Sequence, residues 1–409
     1  MKINIVIKLF IIIFLFSSEY SFAKLLVNPK ITISETYNDN IFLEKNNSDK
    51  DFITSITPGF DLNYGAKELK LNLDYSLYFK KYNKYSEKNE SKLRDVQRVK
   101  MDALVLPDRD LNLALVEEIS RVVIDERDKS VEENDFANKT TLYHFTANPQ
   151  YQWRKYPSFR AIFAYQYDNY DYVSGLGDNV ETQRYRLALE KDLVTETTIK
   201  MNGSYKDYRS ETKSNYNLEQ VSGGLIHQVG PRWLIDAEGG IARVDFDTGQ
   251  EVETSIWMTS VSGQVAKHLE LLLATERAFI DSVNSGVSKR TQASATLHYV
   301  NVFDIEIKAQ GQEDRYQTEY RNDRGSGVAL KVGIPLSRKI ILKLKADVWT
   351  YKFVPETEKV TRLGAGALVT YVGKQGSLSL GYTYRDSNSD IDSRDYVNNI
   401  AAVSASLRF

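Results

Sequence analysis

The chain ends VNNIAAVSASLRF over residues 397–409, and this stretch decides how the rest is read. Val397, Asn399, Ala401, Val403, Ala405, Leu407 and Phe409 form one predominantly apolar face. Asn398, Ala402, Ser404, Ser406 and Arg408 form a polar or small one, with Ile400 as the exception. Side chains alternate between the two faces of a strand, so this is a strand with hydrocarbon on one side and a wetter space on the other.

The same period of two recurs upstream. Leu69, Leu71, Leu73, Tyr75, Leu77 and Phe79 oppose Lys70, Asn72, Asp74, Ser76, Tyr78 and Lys80. Tyr185, Leu187 and Leu189 oppose Arg184, Arg186 and Glu190, and Phe303, Ile305, Ile307 and Ala309 oppose Asp304, Glu306, Lys308 and Gln310. Ile340, Leu342, Leu344, Ala346 and Val348 oppose Lys343, Lys345 and Asp347, and Leu378, Leu380, Tyr382 and Tyr384 oppose Ser377, Ser379, Thr383 and Arg385. No helical period is sustained.

Connections alternate in length. Short turn signals fall near Gly65-Ala66, Pro107 to Asp110, Arg154 to Pro157, Gly230-Pro231, Ser337-Arg338 and Lys374-Gln375. Longer polar segments lie between them, such as Asn38 to Lys50, Asn83 to Ser91 and Glu126 to Asn138. Short turns on one side and longer loops on the other describe a meandering barrel. The count gives an all-β, transmembrane, antiparallel up-and-down β-barrel of about 20 strands, with 18 as the alternative. An even number places both termini in the periplasm. No loop is long enough to read as one folded into the lumen, which favours a monomer or a partner-bound barrel.

Composition agrees by exclusion. The 409 residues carry 53 basic and 55 acidic side chains, a net charge of -2, with 26% charged and 42% hydrophobic residues. That is neither a disordered tail nor a helical membrane bundle, and its near-neutral balance removes the electrostatic case for a nucleic-acid partner. With no cysteine there is no disulfide framework, thiolate metal site or cysteine nucleophile. Residues 1–23 read as a signal peptide: Lys2 and Lys8, the apolar run Leu9 to Phe16, then Ser21-Phe22-Ala23 before Lys24. Residues 24–409 read as one barrel domain.

Rings cluster toward segment ends at Tyr75, Tyr78, Phe79 and Tyr82, at Tyr165, Tyr167, Tyr170 and Tyr172, and at Trp349, Tyr351 and Phe353. Such positions suit the membrane-water girdles. Pro58 and Pro149 fall inside strands of a sheet without a free edge, so bulges or rims are expected there.

Candidate function resides on the polar faces. Lys70, Asp74, Arg184, Arg186, Glu190, Asp304, Glu306, Lys308, Lys343, Lys345, Asp347 and Arg385 are expected to line the lumen. Charges of both signs imply water inside, because a lipid-facing Lys or Arg at mid-membrane costs about 2–4 kcal/mol. Such a lining either guides a polar solute or forms a salt-bridged lattice that stiffens the wall. His144, His227, His268 and His298 have no metal-site spacing, no hydrolase signature is present, and no cofactor or catalytic residue is expected. The acidic run Ser389 to Asp395 reads as a solvated loop before a calcium site. Tyr165 to Tyr172 (YQYDNYDY) could hold a sugar but reads first as girdle.

One stretch is more specific. Ser34-Glu35-Thr36-Tyr37-Asn38-Asp39-Asn40-Ile41-Phe42 is followed by Asp51 to Phe60 (DFITSITPGF) and Leu69 to Tyr75 (LKLNLDY). This succession resembles the beta-barrel porin 2 family of Gram-negative outer-membrane proteins, over about residues 31–85. The resemblance implies an outer-membrane barrel associated with exopolysaccharide or capsule production and export, and gives Pro58-Gly59 the role of a bulge in the second strand. A terminal phenylalanine likewise resembles the signal read by the barrel assembly machinery. The expectation is a porin-like channel passing polar solutes and linked to polysaccharide export, with a closed structural or docking barrel for a secretion complex as the alternative. The expected partners are outer-membrane lipid and lipopolysaccharide, the assembly machinery, and a polysaccharide or export-complex proteins.

Overall fold

Each alternating segment becomes a strand and each turn signal a hairpin in the computed structural model. It describes residues 24–409 apart from 47, 126, 129–137, 174–176, 283–285 and 392–393. The expected signal peptide lies outside the described residues. In chain order the strands are β1 (Lys24–Asn38), β2 (Asp51–Gly65), β3 (Leu69–Leu77), β4 (Phe79–Tyr82), β5 (Gln97–Val105), β6 (Leu111–Val123) and β7 (Lys139–Tyr156). There follow β8 (Phe159–Tyr172), β9 (Val180–Val194), β10 (Thr197–Ser210), β11 (Tyr216–Val229), β12 (Trp233–Phe246), β13 (Glu251–Ala266) and β14 (Leu269–Ser282). The last seven are β15 (Gly286–Val300), β16 (Asp304–Tyr316), β17 (Asn322–Pro335), β18 (Ile340–Val354), β19 (Glu358–Val372), β20 (Gly376–Ser389) and β21 (Tyr396–Arg408).

Neighbours in sequence pair antiparallel, except that β3 pairs with β5 past β4, and β1 closes on β21 from Lys30↔Arg408 to Asn38↔Ile400. β3 and β4 are two lengths of one stave, since both lie along β2. The ring therefore has 20 staves, as the sequence expects. Closure matters because a strand edge left open in hydrocarbon would strand its N–H and C=O groups, each at several kcal/mol.

The outer face is the apolar one. Leu378, Leu380, Val397, Val403 and Leu407 stand exposed on it, as do Ile199, Met201 and Tyr205 of β10. On the inner face polar groups bond across strands, as in Thr32 with Ser406 (2.8 Å) and Thr370 with Ser379 (3.0 Å).

The two prolines do not make bulges. Pro58 holds continuous register with Ile31 of β1. On its other side the ladder lapses between Ile56↔Phe79 and Gly59↔Ser76, where β3 gives way to β4 and the Tyr78 N–H turns to the Val96 carbonyl (2.8 Å). Pro149 pairs with Leu113, while β7 and β8 skip from Ala147↔Tyr167 to Gln150↔Ala164 without shifting register. A missing N–H is thus met by two unpaired positions on one neighbour, which satisfies the constraint without an inserted residue.

The resembling stretch packs where the ring is sealed. Asn398 donates through Nδ2 to Asn38 Oδ1 (3.1 Å) and to the Asn40 carbonyl (2.7 Å). Asn40 Nδ2 donates to the carbonyls of Val397 (2.8 Å) and Glu44 (2.7 Å). Asp39 accepts from the N–H (2.7 Å) and the Nδ2 (2.6 Å) of Asn399. Asn38, Asn40 and Asn398 are all buried, with Leu43 packed on Tyr396 beside them. Asp51 accepts from the N–H groups of Lys84 (2.9 Å) and Tyr85 (3.3 Å), fixing the loop after β4. These motif residues tie the long-loop end of the β1–β21 seam and the staves next to it.

Candidate functional site

By strand parity the twelve expected residues alternate with the exposed apolar ones, and they do not converge on one site. Lys30 of β1 donates to Asp61 (2.6 Å) and Asp74 (2.8 Å), so Asp74 belongs to an inward triad. Lys70 is exposed and 3.8 Å from Asp108. Across β8 to β10, Glu190 pairs with Arg160 (2.7 Å), Arg186 donates to Asn202 (3.1 Å), and Arg184 stands opposite Lys206. On β16 and β17, Glu306 pairs with Lys331 (2.8 Å) and Asp304 with His298 (2.8 Å), while Lys308 is exposed. Asp347 of β18 meets Arg385 of β20 (3.1 Å) across Gly364 of β19, and Lys343 and Lys345 are exposed below them. Much of the charge is locally paired, as a stiffening lattice would have it; Lys343 makes no ion pair among the described residues.

The ring groups divide by parity. Tyr75, Phe79, Tyr165 and Tyr167 face out, as girdle residues should. Tyr82, Tyr170 and Tyr172 face in, and Tyr170 stacks on His144 at 4.2 Å. Trp349, Tyr351 and Phe353 also face in, against the girdle reading. They share the inner parity of Asp347, with Gly325 and Gly327 of β17 beneath the rings. Alternation is legible there in the sequence, but ring character alone does not tell an inward apolar stretch from an outward one.

The histidines are dispersed. His144 lies 3.3 Å from Asp168, His227 bonds Thr197 (2.9 Å), and His268 packs edge-on to Tyr299. Among the described residues no group of His, Asp and Glu converges as metal ligands would. Asp390 and Asp395 are used by the chain itself, accepting from the N–H groups of Lys359 and Ser389; residues 392–393 of that loop lie outside the described ones.

Two assemblies at the long-loop end were not visible in the sequence. β13 and β14 stay paired only up to Trp257↔Arg277, although both strands continue. Beyond that point the described ends of β14 and β15 lean inward. Phe279 and Val287 join a buried core with Tyr208, Tyr216, Leu218, Val244 and Phe246 of β10 to β12. Lys206, buried beside that core, donates to both oxygens of Asp281 (2.7 and 2.6 Å), which is exposed at its edge, and to the buried Tyr216 (3.1 Å).

The second assembly crosses the mouth. β6 and β7 are the fifth and sixth staves and β17 the sixteenth, so they stand nearly opposite. Arg127, from the β6–β7 connection, donates to Asp323 (2.7 and 3.1 Å), Glu356 (2.8 Å) and the Val354 carbonyl (3.0 Å), with its guanidinium 5.3 Å from the Phe353 ring. Arg321 reaches back to Asp125 (3.1 Å), and Arg362 donates to the Asp128 carbonyl (3.2 Å). Asp125, Arg127 and Asp128 of this connection thus bond to residues about half the ring away.

No family model matches the chain, and no curated protein matches it. Among solved structures it is similar to the siderophore receptor PirA from Acinetobacter baumannii, at 9% identity over 94% of this chain and 81% of that one, with a TM-score of 0.52. It is similar to a mutant of the ferric enterobactin receptor PfeA from Pseudomonas aeruginosa, at 9% identity over 95% and 81%, with a TM-score of 0.51. A BenF-like porin from Pseudomonas fluorescens Pf-5 matches at 10% identity over 94% and 99%, with a TM-score of 0.44. At these identities the two receptors share the fold of this chain: a large, closed antiparallel barrel.

Proposed function

We propose that the protein is an outer-membrane channel of the porin-like kind, passing polar solutes and serving saccharide export. The observation that carries this reading is the division of one closed ring into an apolar outer face and an inner face charged with both signs. Water is the environment such an inner face requires. Membership of the beta-barrel porin 2 family and the tie to exopolysaccharide rest on the stretch around Tyr37 to Ile41 and Asp51 to Phe60. The proposed surroundings are lipid and lipopolysaccharide on the outer face, and assembly machinery reading the strand that ends at Phe409.

The test is single-channel conductance of the purified, folded protein in a planar bilayer. Stable openings support the channel. Silence from a protein proved folded by its heat-modifiable mobility contradicts it. The contacts across the ring and the inward ends of β14 and β15 favour a second reading, a barrel closed at the long-loop end that acts as a docking scaffold. Silence would select that reading.

A further inference from the structure

Resting on the saccharide reading, we propose that the inner face of β18 is a binding track for an acidic oligosaccharide. From the short-turn end upward its inward side chains are Ile341, Lys343, Lys345, Asp347, Trp349, Tyr351 and Phe353. Successive inward positions are about 6.6–6.8 Å apart along a strand, so this is one column running up the wall.

The rings lie flat, and glycines are the reason. A Cβ on Gly327 would stand 2.4 Å from the Trp349 ring, and one on Gly325 would stand 3.1 Å from Tyr351. With no side chains there, the Trp349 and Tyr351 rings rest on the β17 backbone, while Phe353 is buried under Arg127. Their planes differ by 20° from Trp349 to Tyr351 and by 14° from Tyr351 to Phe353, with centroids 6.2 and 5.9 Å apart. The result is a nearly continuous apolar strip, and Trp349 and Tyr351 remain partly exposed on it.

Cations border the strip at both ends. Arg362 stands 5.2 Å over Tyr351, and Arg127 covers Phe353. Below, Lys343 is exposed and makes no ion pair among the described residues, and exposed Lys345 follows it. A flat aromatic face suits the C–H face of a sugar ring, while lysine and arginine donors suit a carboxylate or sulfate. Neither group alone selects an acidic sugar; the column supplies both along one line. Arg127 is held by Asp323 and Glu356, as Lys30 and Lys200 elsewhere on the inner wall are each held by two carboxylates, so Lys343 is the cation of the column with most to offer a ligand.

The experiment is calorimetric titration of oligogalacturonate, and of a neutral malto-oligosaccharide of equal length, into the full-length folded protein in detergent micelles. The acidic oligomer should bind and the neutral one should bind at least tenfold more weakly. Lys343→Gln with Lys345→Gln should weaken the acidic oligomer about tenfold and leave the neutral one unchanged. Trp349→Ala should weaken both, and Trp349→Phe, which keeps a ring if the alanine variant does not fold, should restore part of the loss. No binding, equal binding of the two oligomers, or binding indifferent to Trp349 and the lysines overturns the track. Binding by a protein that does not conduct retains the track and removes the channel. Conductance without binding does the reverse.

Discussion

Asn398 carries more structure than its place in a terminal strand suggests. Fully buried, it joins β21 to the β1–β2 connection through Asn38 and Asn40. Replacing it by alanine leaves two acceptors without their donor inside the seam. Asn398→Ala should destabilise the barrel by about 1–3 kcal/mol, read as a lower urea midpoint in micelles. Glu117 is the opposite case. It stands on the outer face between Met101 and Phe145, and its Oε2 is buried without a hydrogen-bond partner among the described residues. Glu117→Leu should therefore stabilise the barrel by about 1–3 kcal/mol in the same assay, since an unsatisfied buried oxygen is removed and apolar area gained. Both effects were hidden in the sequence. Asparagines of a turn motif look like solvated loop residues, and a glutamate in an alternating strand looks inward until the register with β5 is known.

At the scale of elements, the β14–β15 hairpin is held by the buried Lys206 and the exposed Asp281 at the edge of an apolar core. Removing Asp281 leaves the buried ammonium of Lys206 uncompensated, at up to about 3–5 kcal/mol, whereas replacing Lys206 as well removes that buried charge. Asp281→Ala alone should thus be strongly destabilising, and Lys206→Met with Asp281→Leu much less so, compared in a denaturant series. Strand existence, period and short-turn positions were legible because hydrophobic alternation is a local property. Pro58 and Pro149 were legible as conflicts, but not their resolution, because a lapsed ladder is a property of the neighbouring strand. The column on β18 was misread for a related reason. Trp349, Tyr351 and Phe353 follow Lys343 and Lys345 in inner parity, yet their apolar nature pointed outward until Gly325 and Gly327 were found beneath them.

At the scale of the whole molecule, Arg127 of the β6–β7 connection bonds to Asp323, Glu356 and the Val354 carbonyl, on strands about half the ring away. Nothing in its length announced this, since the contacts join residues about half the ring apart. Arg127→Ala should loosen the crossing and raise single-channel conductance, or produce openings if the native protein is silent. An unchanged record would mean that the crossing does not limit passage.

The claim on which the rest depends is that one ring of strands presents lysines to water and leucines to lipid. The chain contains no cysteine, so cysteines can be placed singly along β18, from position 342 to 348, and tested with a membrane-impermeant maleimide in proteoliposomes. The account predicts alternation: labelling at 343, 345 and 347, and protection at 342, 344, 346 and 348. Uniform labelling, or labelling of the even positions only, would contradict it.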